Sequence, residues 1–264
     1  MYDLYKILNR GIFAVNKIKY FTSAEVVEQL KETIRRGVHE RYLPDPFKVG
    51  HGGTLDDTAT GVLVVGVGEG CQLLARFLHG NKKYVVTGCL GSETTTYNET
   101  GIHVNSAPYD HISKESLEEA LMSFRGKILQ TPPKYSALKM GGRRIADLTR
   151  SGINVEMKPR HVMCYNVKCT DFNPPFFKLA LSCGPGFYVR SLVHDLGLVT
   201  NWPAETTSNL HRADASKLCH GGPHLGAALG QGVRGLLASV LWLTLSSGLR
   251  EAAIHKVHRG RAWM

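Results

Sequence analysis

The stretch KVGHGGTLDDTATGVLVV, Lys48–Val65, decides how this chain is read. It runs from a glycine-rich turn through two adjacent aspartates, Asp56 and Asp57, into an apolar segment with the pattern of a strand. Glycine-rich turns that cradle phosphate follow a strand, open a helix and commonly carry a lysine after the glycines. Here the order is turn, carboxylates, strand, and no lysine follows the glycines. Adjacent side chains on an extended segment point to opposite faces, so the two aspartates do not form an acid–base pair on one substrate. Leu55 is expected to anchor the turn in the core. Asp57, ahead of TATG, is expected to cap a turn. Asp56 is left as a second turn carboxylate or as a lone functional one.

Outward from this stretch the elements mix. TSAEVVEQLKETIRRGVHE opens with the capping-box pattern Thr22-x-x-Glu25, and Val27, Leu30 and Ile34 fall on one helical face. SKESLEEALMSFRG reads as a helix capped by Ser113 and stopped by Gly126, with Leu117, Leu121 and Phe124 inward. GVLVVGVG and KKYVVTGCLG read as strands bounded by glycines, and FFKLALSC alternates as a half-buried strand does. Helices and strands follow one another without regular βαβ alternation, so the fold class expected is α+β.

The chain of 264 residues carries 32 Lys+Arg against 22 Asp+Glu, a formal net charge of +10, which favours an anionic partner, nucleic acid first. Its six cysteines form no CxxC pair and suggest no zinc site. They read as reduced thiols of an intracellular protein, in a compartment the sequence leaves open. The N-terminus lacks the apolar core of a signal peptide, and no run of about 20 apolar residues marks a membrane span. Leu236–Leu249 reads instead as a buried helix.

Composition breaks near Gly197: all ten tyrosines and nine phenylalanines precede it, and all three tryptophans follow. The boundaries expected are a catalytic domain over 1–218 and a divergent Gly/Ala/Leu-rich tail over 219–264. The tail reads as an extension rather than a packed second domain.

Further candidates are dispersed. His51 lies among glycines, with no partners at metal-ligand spacing. Tyr84 follows Lys82 and Lys83 at the start of a strand. PPKYSALKMGGRR sets Tyr135 among Lys134, Lys139, Arg143 and Arg144, a pattern that suits an RNA backbone with a base stacked nearby, or a solvated basic loop. In CGPGFYVRSLVHDLG, Arg190 falls inside an apolar segment; buried there it needs a charge partner, and Asp56 is a candidate.

In this order GHGGTLDDTATGVLVVGVGEG, KKYVVTGCLG, PPKYSALKMGGRR and CGPGFYVRSLVHDLG resemble the successive motifs of the TruB family of tRNA pseudouridine synthases. The resemblance runs from about Gly11 to Gly197 and is nearer the eukaryotic branch, without a PUA module. It implies a pseudouridine synthase fold: a mixed, mainly antiparallel sheet with flanking helices and RNA-binding loops. It implies isomerisation of the T-loop uridine at position 55 of tRNA, by a monomer, without cofactor, metal or membrane. By the same resemblance Asp56 is the catalytic carboxylate, Arg190 its partner, and Tyr84 the aromatic that stacks on a flipped-out base. Lys17, His51, Gly52, Gly53, Lys83, Tyr135, Lys139 and Tyr188 fall at RNA-contacting positions. The carboxylate either attacks the sugar C1′ or removes the C2′ proton, and the sequence does not choose between them.

The chain departs from the family pattern in places. Asn16 and Ile18 replace an aspartate and a proline, TTTYN replaces TDTxD with Thr95 and Asn98 at the acidic positions, and NLHRADASK echoes the late LxRxxxGxF segment only through Leu210 and Arg212. These departures keep a second reading open, an RNA-binding or tRNA-folding protein with little or no catalysis.

Overall fold

The computed structural model describes residues 8–200, 203–206 and 210–214. The expectations for Cys219, for the Leu236–Leu249 helix and for 219–264 lie outside them. The chain forms two compact units. The described part of the first comprises residues 8–57 and 61–78, and that of the second 58–60 with the rest from 79 onward.

In the first unit the strands are β1 (Ile12–Lys17), β2 (Val49–His51) and β3 (Thr60–Val67), whose first residue belongs to the second unit, and the helices are α1 (Ser23–Gly37) and α2 (Leu74–Leu78). β3 pairs antiparallel with both β1 (Val15↔Leu63) and β2 (His51↔Val65). Its run of Leu63, Val64, Val65 and Val67 is buried. Thr22 caps α1 through the expected box: Glu25 N–H donates to Thr22 Oγ1 at 3.1 Å, and Thr22 N–H to Glu25 Oε2 at 2.7 Å. The apolar face of α1 buries Leu30 and Ile34, and Ile34 joins Leu8, Val38 and Val67 in one cluster.

The second unit carries β4 (Lys82–Leu90), β5 (Ser92–Thr94), β6 (His103–Ser106), α3 (Lys114–Met122), β7 (Gly126–Gln130), β8 (Lys139–Met140), β9 (Arg143–Arg144), α4 (Ile145–Arg150), β10 (Arg160–Asn173), β11 (Phe176–Cys183), α5 (Val189–Val199), β12 (Ala204–Thr206) and β13 (His211–Asp214). Its sheet is antiparallel throughout, in the order β4-β11-β10-β7, and the other edge of β4 is taken by β13 near Tyr84 and by β12 near Cys89. The mixture of helices with antiparallel strands is the α+β class expected. β11 alternates as read: Phe177, Leu179 and Leu181 are buried, and Lys178 is exposed.

One boundary differs from expectation. α3 ends at Met122, and Gly126 opens β7 at φ 86° instead of stopping the helix. Past Met122 the chain tightens to i→i+3 bonds, Ser123 N–H to Ala120 O, Phe124 N–H to Leu121 O and Arg125 N–H to Met122 O. Such tightening commonly closes a helix end before any glycine is reached. Among the described residues no helix is long and apolar enough to cross a membrane.

Candidate active site

The Asp56 turn is organised from the first unit's own interior. Leu55 is buried as expected, and its backbone is held by Ser23: Leu55 N–H donates to Ser23 Oγ at 2.9 Å, and Ser23 Oγ donates to Leu55 O at 3.1 Å. Lys17, at the end of β1, is 1% exposed. Its Nζ donates to the carbonyls of Ile18 (3.0 Å), Phe21 (2.6 Å) and Asp57 (3.1 Å). Tyr20 N–H adds a second bond to Asp57 O at 2.7 Å. The Asp57 carbonyl is therefore an anchor of the turn, and Asp56 beside it is half-buried. Burial lowers the Lys17 ammonium to about 8, against the opposing pull of Asp57, Asp56 and Glu25.

The glycines ahead of this turn are demanded by packing. A Cβ on Gly52 would sit 2.9 Å from Phe77 Cβ of α2, and Gly53 adopts φ 134°, which L side chains rarely take. His51 is half-buried in β2.

In the second unit Tyr84 is buried in β4. Its hydroxyl accepts from Arg212 Nε at 3.3 Å and Nη2 at 3.0 Å. The Arg212 guanidinium carbon also lies 5.4 Å from the Tyr84 ring centre. The faint echo of the late family segment is thus a real strand: β13 pairs with β4 in the register Arg212↔Tyr84, and Leu210 is buried ahead of it. Arg212 was not among the expected site residues; its only signal was that two-residue echo.

Arg190 is buried in the first turn of α5. Nη1 donates to Thr96 O and Nη2 to Tyr135 O, both at 2.9 Å, so backbone carbonyls meet part of its charge. Tyr188, half-buried, is the N-cap residue of α5, and sequence reading missed its partner. Gln130 at the end of β7 accepts Tyr188 N–H at Oε1 (2.8 Å) and donates from Nε2 to Tyr188 O (3.0 Å). Ser191 Oγ donates to Thr131 O at 2.7 Å, so the first turn of α5 is bonded to the segment after β7. Tyr188, Arg190 and Tyr135 are thereby brought together.

The loop between β5 and β6, which holds the departures Thr95 and Asn98, closes on itself. Asn98 is buried, and its Oδ1 accepts from Thr96 Oγ1 (2.6 Å), Thr100 Oγ1 (2.8 Å) and Thr100 N–H (3.2 Å). Its Nδ2 donates to Thr58 Oγ1 at 3.5 Å. An amide thus fills the position with both a donor and an acceptor, where a carboxylate offers acceptors only. Thr95 is exposed, and its Oγ1 accepts Ile102 N–H at 3.1 Å.

The basic segment after Pro133 forms a hairpin. β8 and β9 pair as Lys139↔Arg144 and Met140↔Arg143 around Gly141 and Gly142, both at positive φ. Lys139, Arg143 and Arg144 are exposed, as is Lys83 at the start of β4. Among the described residues no three His, Cys, Asp or Glu side chains are grouped to hold a metal.

A family model described as the N-terminal domain of TruB family pseudouridylate synthase matches residues 40–189. The chain is 46% identical over 197 residues to pseudouridylate synthase TRUB1 of Homo sapiens, covering 71% of this chain and 56% of that protein. It is 38% identical over 188 residues to tRNA pseudouridine synthase B of Francisella tularensis subsp. tularensis, covering 71% of this chain and 59% of that protein. The chain therefore spans a little over half the length of these relatives. Among solved structures it resembles a chain of the crystal structure of a Cbf5-Nop10-Gar1 complex, with a TM-score of 0.56 at 23% identity, over 77% of this chain and 48% of that one. That likeness is one of fold. With a family model matching more than half of its residues and a relative at 46% identity over 71% of its length, the chain belongs to the TruB family of pseudouridylate synthases.

Proposed function

We propose that this chain is a tRNA pseudouridine synthase that isomerises the T-loop uridine at position 55, acting as a monomer on the T-arm. The observation that carries the reading is the Asp56 turn. Its backbone is locked by a buried lysine bonded to three carbonyls, one of them that of Asp57, in a chain whose relatives bear the name tRNA pseudouridine synthase. A turn backbone held this firmly gives the Asp56 side chain a fixed origin from which to act on one atom.

The roles follow from that placement. The target uridine leaves the stack, and its base lies against Tyr84, whose ring is fixed by Arg212. Asp56 either attacks C1′ or takes the C2′ proton, and the bond from C1′ to N1 breaks. The base turns, C5 bonds to C1′ as the Asp56–C1′ bond breaks or as Asp56 returns the proton to C2′, and the C5 proton is lost while N1 gains one, so the change is an isomerisation with no net redox. Arg190 is the cationic partner that the family resemblance assigns to Asp56. The exposed cations Lys83 and Lys139 and the Arg143–Arg144 pair, with His51, Tyr135 and Tyr188, contact the RNA. Lys17, 1% exposed with its ammonium spent on three carbonyls, and the buried Gly52 and Gly53 serve instead to hold the Asp56 turn.

Incubating T-arm RNA with the wild type and with Asp56→Asn tests the reading. Pseudouridine is expected from the wild type alone. Equal yields from both proteins would remove Asp56 from the mechanism, and no product from either would remove the activity.

A further inference from the structure

Helix α5 grips the loop between β5 and β6 twice. Arg190 holds the Thr96 carbonyl at 2.9 Å. One helical turn on, His194 lays its ring on Tyr97, with centroids 3.7 Å and planes 22° apart. Both ring nitrogens of His194 meet carboxylates: Nε2 is 3.0 Å from Glu93 Oε1, and Nδ1 is 3.3 Å from Asp195 Oδ1. Tyr97 itself sits at φ 59°, a conformation sparsely populated for an aromatic residue, so its surroundings must hold it there. The next residue is Asn98, which reaches Thr58, two positions along the chain from Asp56. The reaction proposed above gives His194 no role.

We propose that His194 is a positioning residue: clamped between Glu93 and Asp195, its ring is the platform that fixes Tyr97 and so sets the loop through which Asn98 braces Thr58. The role rests on the synthase reading. Because ionised carboxylates only accept hydrogen bonds, a ring bonded to two of them carries both protons. Burial works against that charge, but the hydrogen bonds to Asp195 and Glu93 outweigh it and raise the His194 pKa above its ordinary value. The platform is therefore complete below the ordinary histidine pKa of about 6.5, and is lost as pH rises through the higher folded value.

α5 also packs on β4, β12 and α3. Their charged groups are Lys82 and Lys83, Glu205, and Lys114, Glu115, Glu118 and Glu119 respectively. Glu205 takes the Ser92 hydroxyl at 3.0 Å. The charges that raise His194 are Asp195 on its own helix and Glu93 on β5.

The test measures kcat and KM of the full chain on T-arm RNA against pH, for the wild type, His194→Ala, His194→Phe and Glu93→Gln. His194→Ala is expected to lower kcat about ten- to a hundredfold, as misplacement of a distant support does, with KM changing less. His194→Phe restores the stacking ring and should recover part of kcat while lacking the alkaline limb of the wild-type profile. Glu93→Gln should move that limb to lower pH. A folded His194→Ala protein with wild-type kcat and profile overturns the proposal. If His194→Ala does not fold, an unmoved limb in Glu93→Gln overturns it instead. If the wild type makes no pseudouridine, the synthase reading has failed, and NMR titration then decides the positioning role by itself. Tyr97 ring resonances that follow the His194 titration support the platform, and resonances that ignore it overturn it.

Discussion

Arg212 and Tyr84, neighbours across two strands yet 128 positions apart in sequence, share a buried bond in which the guanidinium donates twice to one phenolic oxygen. The ring that is proposed to stack on the base is therefore fixed at its far end by a charge. Replacing Tyr84 by Phe removes that acceptor and leaves the ring in place. The expected cost is about 1.5–3 kcal/mol, typical of a hydrogen bond to a charged group. Urea unfolding of wild type and Tyr84→Phe measures it, and an unchanged midpoint would show that the bond carries no net stability.

Lys17 makes stability depend on pH in one direction. Its folded pKa, about 8, lies below the 10.5 ordinary for a lysine. Between those values the unfolded chain holds the proton more tightly, so this group makes stability rise with pH across that window and adds no slope below it. Lys17→Met, which lacks the group, is expected to be less stable than wild type, by a margin that widens from about pH 8 to about pH 10.5. Paired urea titrations at each pH read the margin. A constant margin would place the ammonium near its ordinary value.

Asn98 is a position where an acid should be tolerated and an alkyl group should not. Asn98→Asp keeps an acceptor for Thr96 and Thr100, and the Thr58 hydroxyl can rotate to donate. Its melting midpoint is expected within a few degrees of wild type. Asn98→Leu removes the side-chain acceptor of half-buried Thr96 and exposed Thr100 and the donor to the buried Thr58 hydroxyl, and is expected to cost about 1–3 kcal/mol. Calorimetric melting of the two variants separates them, and equal midpoints would show the network to be idle.

Gln130 supports the start of α5 through two bonds to the backbone of Tyr188. Gln130→Leu removes the Gln130 acceptor of the half-buried Tyr188 N–H and one of two donors to its C=O, which still accepts Leu192 N–H at 3.1 Å, and is expected to cost about 1–3 kcal/mol. The first turn carries Arg190, so amide exchange around residues 188–191 should quicken more than exchange in β10. Uniform exchange would mean that the pair holds nothing local.

The sequence spoke clearly wherever structure is decided within a few residues. The box from Thr22 to Glu25 closes over one turn, and the alternation of Phe177, Leu179 and Leu181 needs only the two-residue period of a strand. Leu55 was legible as an anchor because an apolar residue between turn residues has few other places to go. The pairings that fix the candidate site were not legible, since nothing local in Gln130 announces a partner 58 positions on, or in Arg212 one 128 positions back. Gly52 and Gly53, which the resemblance puts at RNA-contacting positions, are buried, and Phe77 of α2 occupies the space beside Gly52, a neighbour that nothing local in the glycine turn announces. The helix before Gly126 ran short because hydrogen-bond tightening, which composition does not encode, ended it first.

The placement of β4 has a consequence for how the chain is made. Its strand neighbours, β11 on one edge and β12 and β13 on the other, all come from residues beyond position 175. During synthesis β4 leaves the ribosome long before either edge can be covered, and at about 5–20 residues per second that interval lasts several seconds. Val86, destined for full burial, waits through it on an unpaired strand. Mutations that slow translation or weaken β13 should therefore show first as lost yield and aggregation of the nascent protein, before any defect appears in the molecules that finish folding.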